Sequence, residues 1–236
     1  MSVNRWIKSR ESQKTMPRTP KFNGDDAKRY YDHFGAKQDK QGFYEDAALD
    51  ALIRNAAFSD AQAVLEIGCG TGKFAKRLLS DHLPVSARYT GMDISGTMVA
   101  LAKQRLEPWA DRAEVHLSDG SFDLPIHGAS FDRVVCTYVF DLLSVEDIAK
   151  ALSAAHAATS TGGLLCAASL TQGTGLLSRV TSTAWTWVHG MKPSLVGGCR
   201  PLALSDFVAG PHWQIVHREV VVSATVPSEV LIAKAL

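Results

Sequence analysis

Apolar positions in this chain follow two rhythms. Short apolar runs occupy Ala63 to Ile67, Arg88 to Ile94, Ala113 to Leu117, Phe131 to Thr137 and Gly163 to Ser169. Between them lie longer stretches whose apolar residues recur at helical spacing, including Gly72 to Ser80, Gly96 to Glu107 and Val145 to Thr159. The last is entered from Ser144, an N-cap type residue followed by Glu146 and Asp147. Alternation of this kind predicts βαβ units and a mostly parallel sheet. Upstream, Asp25 to Phe58 reads as two helices, one carrying Tyr30, Tyr31 and Phe34 and one carrying Phe43, Leu49, Leu52 and Ile53, punctuated by Gly35 and Gly42. Downstream, Thr174 to Gly190 reads as an aromatic helix, Lys192 to Pro201 as a Gly/Pro-rich loop and Ala203 to Val208 as a short helix. Two closing strands, Trp213 to Val222 and Glu229 to Ala235, are separated by Pro227 and are expected to pair antiparallel.

Composition narrows the class. The 236 residues suit one α/β domain, and 46% hydrophobic with 21% charged residues is ordinary for a globular protein. A formal net charge of +1 argues against nucleic acid as a partner. The charge is uneven, however. Arg5, Lys8, Arg10, Lys14, Arg18 and Lys21 face only Glu11, and Pro17 and Pro20 discourage regular structure, so residues 1–23 read as a basic, solvated tail, with an organellar transit peptide as the alternative. Residues 24–236 then form a single domain, with an N-terminal helical lid over 24–58 and an insertion at 173–210. The four cysteines, Cys69, Cys136, Cys166 and Cys199, show neither a C-x-x-C pair nor zinc-ligand spacing, which implies a reducing compartment and no structural metal. No window reaches the length of a membrane span and no secretory signal opens the chain, so a cytoplasmic protein is expected, as monomer or homodimer.

The strongest motif is Val64-Leu65-Glu66-Ile67-Gly68-Cys69-Gly70-Thr71-Gly72-Lys73-Phe74, a strand leading through a glycine-rich turn into a helix. Glycines permit a tight turn that brings backbone N–H groups near a ligand at a helix start. The third glycine comes one place too early for a dinucleotide fingerprint, and Lys73 stands where that pattern requires glycine, which disfavours a nicotinamide cofactor. About 20 residues on, Tyr89-Thr90-Gly91-Met92-Asp93-Ile94-Ser95 ends a strand in an acid at the distance where a carboxylate accepts from ribose hydroxyls.

With these segments in view, the sequence resembles the class I S-adenosylmethionine-dependent methyltransferases, in the group that includes quinone-biosynthesis enzymes. Glu66-x-Gly68-x-Gly70-x-Gly72 resembles the family's first motif, under the methionine part of the cofactor, and Asp93 matches its ribose-binding acid, with Ile94 and Met98 following. Ser118-Asp119-Gly120-Ser121 is similar to the segment that holds the adenine, where Asp119 would bond its amino group. The run from Ser130 to Phe140, including Thr137 and Tyr138, resembles the strand that ends beside the reacting sulfonium. Gly162-Gly163 is similar to the turn into the fifth strand, and Tyr31-Asp32-His33-Phe34 to a segment that covers the cofactor. The resemblance implies a Rossmann-like α/β fold whose seven-stranded, mostly parallel sheet is completed by a C-terminal antiparallel hairpin, with helices on both faces. It also implies S-adenosyl-L-methionine as cofactor and S-adenosyl-L-homocysteine as product.

Methyl transfer from a sulfonium is a direct displacement, so the protein chiefly aligns nucleophile, carbon and sulfur and excludes water. Tyr31 and Tyr138 are the aromatic candidates beside the sulfonium. A hydroxyl or ammonium acceptor must lose a proton, for which His33, His189 and Asp141 are the candidate bases, whereas a thiolate or free amine needs none. Trp185, His189 and Arg200 in the insertion are the candidates for contact with a small-molecule acceptor, Arg200 with an anionic group. The alternatives are that the tryptophans only cover the sheet and that Arg200 only ends a loop. Two other functions stay open: action at a membrane surface on a phospholipid headgroup or isoprenoid quinone, through peripheral contact, and non-catalytic cofactor binding.

Overall fold

The computed structural model describes residues 24–35, 42–122, 130–191, 199–208 and 210–236. The basic tail therefore lies outside the described residues, as does most of the loop expected at 192–201. Seven strands, β1 (Ala63–Ile67), β2 (Arg88–Asp93), β3 (Ala113–Leu117), β4 (Phe131–Thr137), β5 (Thr159–Leu170), β6 (Trp213–Ser223) and β7 (Val226–Ala235), form one sheet in the order β3-β2-β1-β4-β5-β7-β6. The first five run parallel, and β7 is antiparallel to both neighbours. Helices α1 (Gly24–Phe34) and α2 (Gly42–Asn55) precede the sheet, and α3 (Lys73–Asp81), α4 (Gly96–Leu106) and α5 (Val145–Ala158) are its crossovers. Helix α6 (Leu176–Met191) and the short α7 (Ser205–Val208) follow β5.

Both faces of the sheet are covered, which explains why its central strands read as continuous apolar runs. On one face Val64, Val135, Cys166 and Ile232 pack against Leu52 of α2, Leu78 of α3 and Val99 of α4. On the other, Leu65, Val134, Leu165 and Leu231 pack against Ile148, Leu152 and Ala155 of α5 and Val208 of α7. The predicted cap of α5 forms: the Ser144 hydroxyl accepts from the Asp147 N–H at 3.1 Å.

Two expectations need correction. β5 starts at Thr159, directly at the end of α5, because Thr159 pairs with Phe131 and a bulge takes up the extra residues before Arg133 meets Leu164. Pro227 does not separate the last two strands but lies inside β7 opposite Val222. The turn is instead Ala224-Thr225, with φ of 47° and 69°, a two-residue hairpin of the kind usually built from Asn-Gly.

Strand order reverses between β1, which is followed by β2 on one side, and β4 on the other, so the carboxyl ends of β1 and β4 open the crevice in which sheets of this type bind ligands.

Candidate active site

Gly68, Gly70 and Gly72 all have left-handed backbones, at φ 75°, 52° and 73°. The expectation that their N–H groups face a ligand is not met. Gly68 and Cys69 both donate to the Met92 carbonyl, at 2.7 and 2.9 Å, Gly72 donates to Cys69 O at 3.0 Å, and Gly70 donates to Asp93 Oδ2 at 2.9 Å. These donors are spent on Met92 and Asp93 of β2 and within the turn itself. What the glycines supply is room: a Cβ on Gly68 would stand 2.3 Å from Cγ2 of Val139, so the turn after β1 touches the segment after β4. A Cβ on Gly72 would stand 3.1 Å from Cα of Ala102 in α4.

Asp93 joins these parts. Its Oδ2 holds Gly70 and its Oδ1 accepts from the Ser95 N–H at 2.9 Å. Burial raises its pKa, and the Ser95, Gly70 and Ile94 backbone donors oppose that rise. An ionised carboxylate offers about four lone-pair sites, so with these three backbone donors it keeps capacity for a further hydroxyl donor. The Ser95 hydroxyl caps α4 by accepting from the Met98 N–H at 3.2 Å and donates to Asp32 Oδ1 at 2.5 Å, which ties α1 to the end of β2. Met98 is buried, and Ile94 lies where a Cβ on Gly120 would come within 3.6 Å of its Cγ2, so the ends of β2 and β3 adjoin. Asp119 is exposed, and its Oδ1 accepts from both the backbone and the hydroxyl of Ser121, which lowers its pKa.

Glu66 sits deeper. It is buried, accepts from the Tyr89 hydroxyl at 2.6 Å, and burial pushes its carboxyl up to about 8 despite that bond. The structure places it beneath the glycine turn as a link between β1 and β2.

Across the crevice, Thr137 ends β4 opposite Ala168, and Tyr138 follows at φ 56°, a left-handed conformation rare for an aromatic residue. Its N–H donates to Ala168 O at 2.8 Å and its hydroxyl lies 2.9 Å from Ser228 Oγ. Asp141, three residues on, is fully buried. Its Oδ2 accepts from the Leu170 N–H at 3.3 Å, and its Oδ1 makes no hydrogen bond to the protein. Burial raises its pKa to about 7, against the Leu170 donor and the Arg200 charge. The Cys199 thiol stands between this carboxyl and the Tyr31 hydroxyl of α1, close enough to each to bias its titration.

The structure brings Tyr31, Tyr138, Asp141 and Trp185 to one side of the site. Trp185 meets Tyr44 edge-on at 6.3 Å and donates Nε1–H to Cys199 O, and Tyr44 in turn meets Tyr138 at 5.9 Å. Arg200 donates Nη2–H to the Leu143 carbonyl and its N–H to Asp141 O, so it closes the loop after β4. His33 is exposed in the last turn of α1. His189 belongs to α6, but its side chain lies outside what the structure describes. Sequence reasoning placed Asp32 in the Tyr31-Asp32-His33-Phe34 segment without giving it a role, and passed over Ser95, Tyr44, Glu45 and Cys199 as site residues. Ser95, directly before a helix, carried a cap signal, whereas nothing local marks Tyr44, Glu45 or Cys199.

Residues 64–163 match the family model described as "Methyltransferase domain". A demethylmenaquinone methyltransferase of Leptospira interrogans is 31% identical over 45% of this chain and 42% of its own length. An O-methyltransferase of Aspergillus nomiae is 31% identical over 39% of each chain. This chain spans less than half the length of the curated relatives it matches. Among solved structures, the N-methyltransferase NodS of Bradyrhizobium japonicum, in complex with S-adenosyl-L-homocysteine, superimposes with a TM-score of 0.67 at 19% identity, over 89% of this chain and 98% of NodS. A SAM-dependent methyltransferase of Methanosarcina mazei gives 0.61 at 19% identity, over 78% of this chain and 97% of its own. Residues 64–163 thus resemble a methyltransferase domain, and the α/β fold around them is the one these solved methyltransferases adopt. The match places a methyltransferase-domain segment at residues 64–163, and the solved structures that share the fold include one named for S-adenosyl-L-methionine as cofactor and one bound to S-adenosyl-L-homocysteine.

The residues at the crevice fit that cofactor. It carries no phosphate in need of free N–H donors, in keeping with a glycine turn whose donors are spent internally. Asp93 retains acceptor capacity for a ribose hydroxyl, and Gly68, lacking a Cβ, lets the Val139 side chain close against the turn at the rim of the crevice.

Proposed function

We propose that this protein transfers the methyl group of S-adenosyl-L-methionine to a small-molecule acceptor by direct in-line displacement. The observation that carries the reading is Asp93, whose carboxylate holds the glycine turn through Gly70 and the start of α4 through Ser95 while keeping acceptor capacity toward the crevice. In this reading Asp93 takes a ribose hydroxyl, and Ile94, Met98, Asp119, Gly120 and Ser121 frame the adenine. Gly68, Gly70, Gly72 and Thr137 border the methionine part, with Glu66 supporting them from below. The cofactor supplies an electrophilic methyl on a sulfonium; the protein holds it beside Tyr138, excludes water with α1 and Tyr31, and presents the acceptor from the side of α2 and α6. Residues 24–58 and 173–210 act as covers over the two ends of the crevice.

The test is calorimetric titration with S-adenosyl-L-methionine and S-adenosyl-L-homocysteine, beside an Asp93→Ala variant and a nicotinamide dinucleotide control. Micromolar binding of both sulfur compounds, lost in the variant, is the expected result. Preference for the nicotinamide, or no binding of either sulfur compound, overturns the reading.

A second reading, action at a membrane surface on a phospholipid headgroup or isoprenoid quinone, is favoured by one observation. Leu177, Val180, Trp187 and Met191 form an exposed apolar stripe along α6. No described helix is long and apolar enough to cross a membrane, so the contact would be peripheral. Co-sedimentation with anionic vesicles that is lost in a Trp187→Ser variant supports it; an unchanged supernatant fraction rejects it.

A further inference from the structure

Asp141 is a fully buried carboxylate whose Oδ1 has no hydrogen-bond partner in the protein, a costly arrangement that a folded chain rarely keeps without use. The groups that act on it from the surrounding elements are neutral or acidic: Tyr31 from α1, Tyr44 and Glu45 from α2, Cys136 and Tyr138 from β4 and its end, and Cys199. Arg200 is the cation that acts on it, and its Nη2 is turned to the Leu143 carbonyl. Glu45 is the second acid of this cluster, and the cation that acts on it, Lys73, is paired with Asp46 at 2.9 Å. Two acids and three tyrosines thus converge at the acceptor side of the crevice, and the cations that act on the acids, Arg200 and Lys73, are hydrogen-bonded to Leu143 O and Asp46.

Resting on the methyltransferase reading, we propose that the acceptor is an amine, received as its ammonium ion by Asp141 and Glu45 among the rings of Tyr31, Tyr44 and Tyr138, with Asp141 as the base that frees its lone pair. An ammonium supplies what the cluster lacks: N–H donors for the open Oδ1 and a positive charge that both carboxylates and aromatic faces stabilise. A hydroxyl acceptor satisfies only the hydrogen bond, and an anionic acceptor is repelled.

The step balances simply. The ammonium gives one proton to the Asp141 carboxylate, and the freed nitrogen lone pair forms a bond to the methyl carbon as the carbon–sulfur bond breaks. Its electron pair passes to sulfur, leaving neutral S-adenosyl-L-homocysteine and a methylated ammonium, and the proton on Asp141 is released to water. A carboxyl held near 7 is matched to that exchange, being charged enough to take the proton and weak enough to give it up.

The experiment uses the full chain loaded with S-adenosyl-L-homocysteine and labelled with carboxyl-¹³C aspartate. It is titrated with n-butylammonium and phenethylammonium and with the matching alcohols, and the same four compounds are offered with S-adenosyl-L-methionine for turnover. The ammonium ions are expected to move the Asp141 carboxyl signal and lower the pH at which it titrates, since an adjacent positive charge favours the ionised form. They alone should form methylated product, at a rate that rises with pH through about 7. Asp141→Asn should bind S-adenosyl-L-homocysteine as wild type yet respond to ammonium ions about tenfold more weakly or not at all, with Glu45→Gln in between. The proposal is overturned if the alcohols act as well as the ammonium ions, if Asp141→Asn keeps the full ammonium response, or if the Asp141 signal stays still at amine concentrations on the order of tens of millimolar. Failure to bind S-adenosyl-L-homocysteine at the outset rejects instead the methyltransferase reading beneath it.

Discussion

Ser95 donates its hydroxyl to Asp32 at 2.5 Å across 63 positions of sequence, and the same hydroxyl caps α4 through Met98 N. One side chain thus anchors the first helix of the domain beside Asp93, whose Oδ1 holds the Ser95 backbone. Covering the crevice and shaping its acid are coupled through Ser95.

Asp32→Asn leaves the cap of α4 intact and weakens only the link to α1, so S-adenosyl-L-homocysteine affinity should fall several-fold with little change in melting temperature. Ser95→Ala removes the cap and the hydroxyl bond to Asp32, leaving Asp32 bonded to Thr97, and should lose a further ~1 kcal/mol of stability from the missing cap. Calorimetry and thermal melts on the two variants separate these effects. Equal affinity in all three proteins would show that α1 takes no part in holding the cofactor.

Glu66 makes stability depend on pH. Its carboxyl titrates near 8 when folded, against an ordinary value of 4.5, because burial penalises its charged form. The sign follows: between these values the unfolded chain has released the proton and the folded chain has kept it, so stability falls as pH rises through this window and levels off above it. Glu66→Gln keeps an acceptor for Tyr89 and removes the titration. Its unfolding free energy relative to wild type, read from denaturant unfolding, should be higher at pH 8 than at pH 5 by on the order of a few kcal/mol. A constant offset across pH would place the titration elsewhere.

Gly68→Ala meets two obstacles, a left-handed backbone and a Cγ2 of Val139 only 2.3 Å from the new methyl. The backbone cost alone is about 1–2 kcal/mol. Adding Val139→Ala to the variant relieves the collision but not the backbone strain, so denaturant unfolding should show partial recovery. Full recovery would mean that φ at this position is free to change.

Ala224 and Thr225 hold the β6–β7 turn in left-handed conformations at φ 47° and 69°. Ala224→Asn suits such a position better and leaves the Thr225 hydroxyl bonded to Thr181 at 3.0 Å. A stabilisation of roughly 0.5–1 kcal/mol is expected, read as a rise in denaturation midpoint. A loss of stability would show that the alanine methyl contributes packing that the turn geometry conceals.

Local pattern was enough to determine the order of strands and helices, the glycine turn at Gly68 to Gly72, the acid at Asp93 and the cap at Ser144, because each depends on residues within a few positions of one another. It also pointed to Tyr31, Tyr138, Asp141 and Trp185, though not to what joins them. Pro227 misled the reading of the hairpin: a proline near a strand end is tolerated where the ladder does not need its N–H, and left-handed Ala224 and Thr225 carry no composition signal. Only the folded chain decided that the glycine turn spends its donors on Met92 and Asp93, that Asp32 reaches Ser95, and that Cys199 stands between Tyr31 and Asp141. Those relations join segments tens to more than a hundred residues apart. A side chain's partner and its degree of desolvation exist only once the sheet has brought strand ends together, and these set the titration of Glu66 and Asp141.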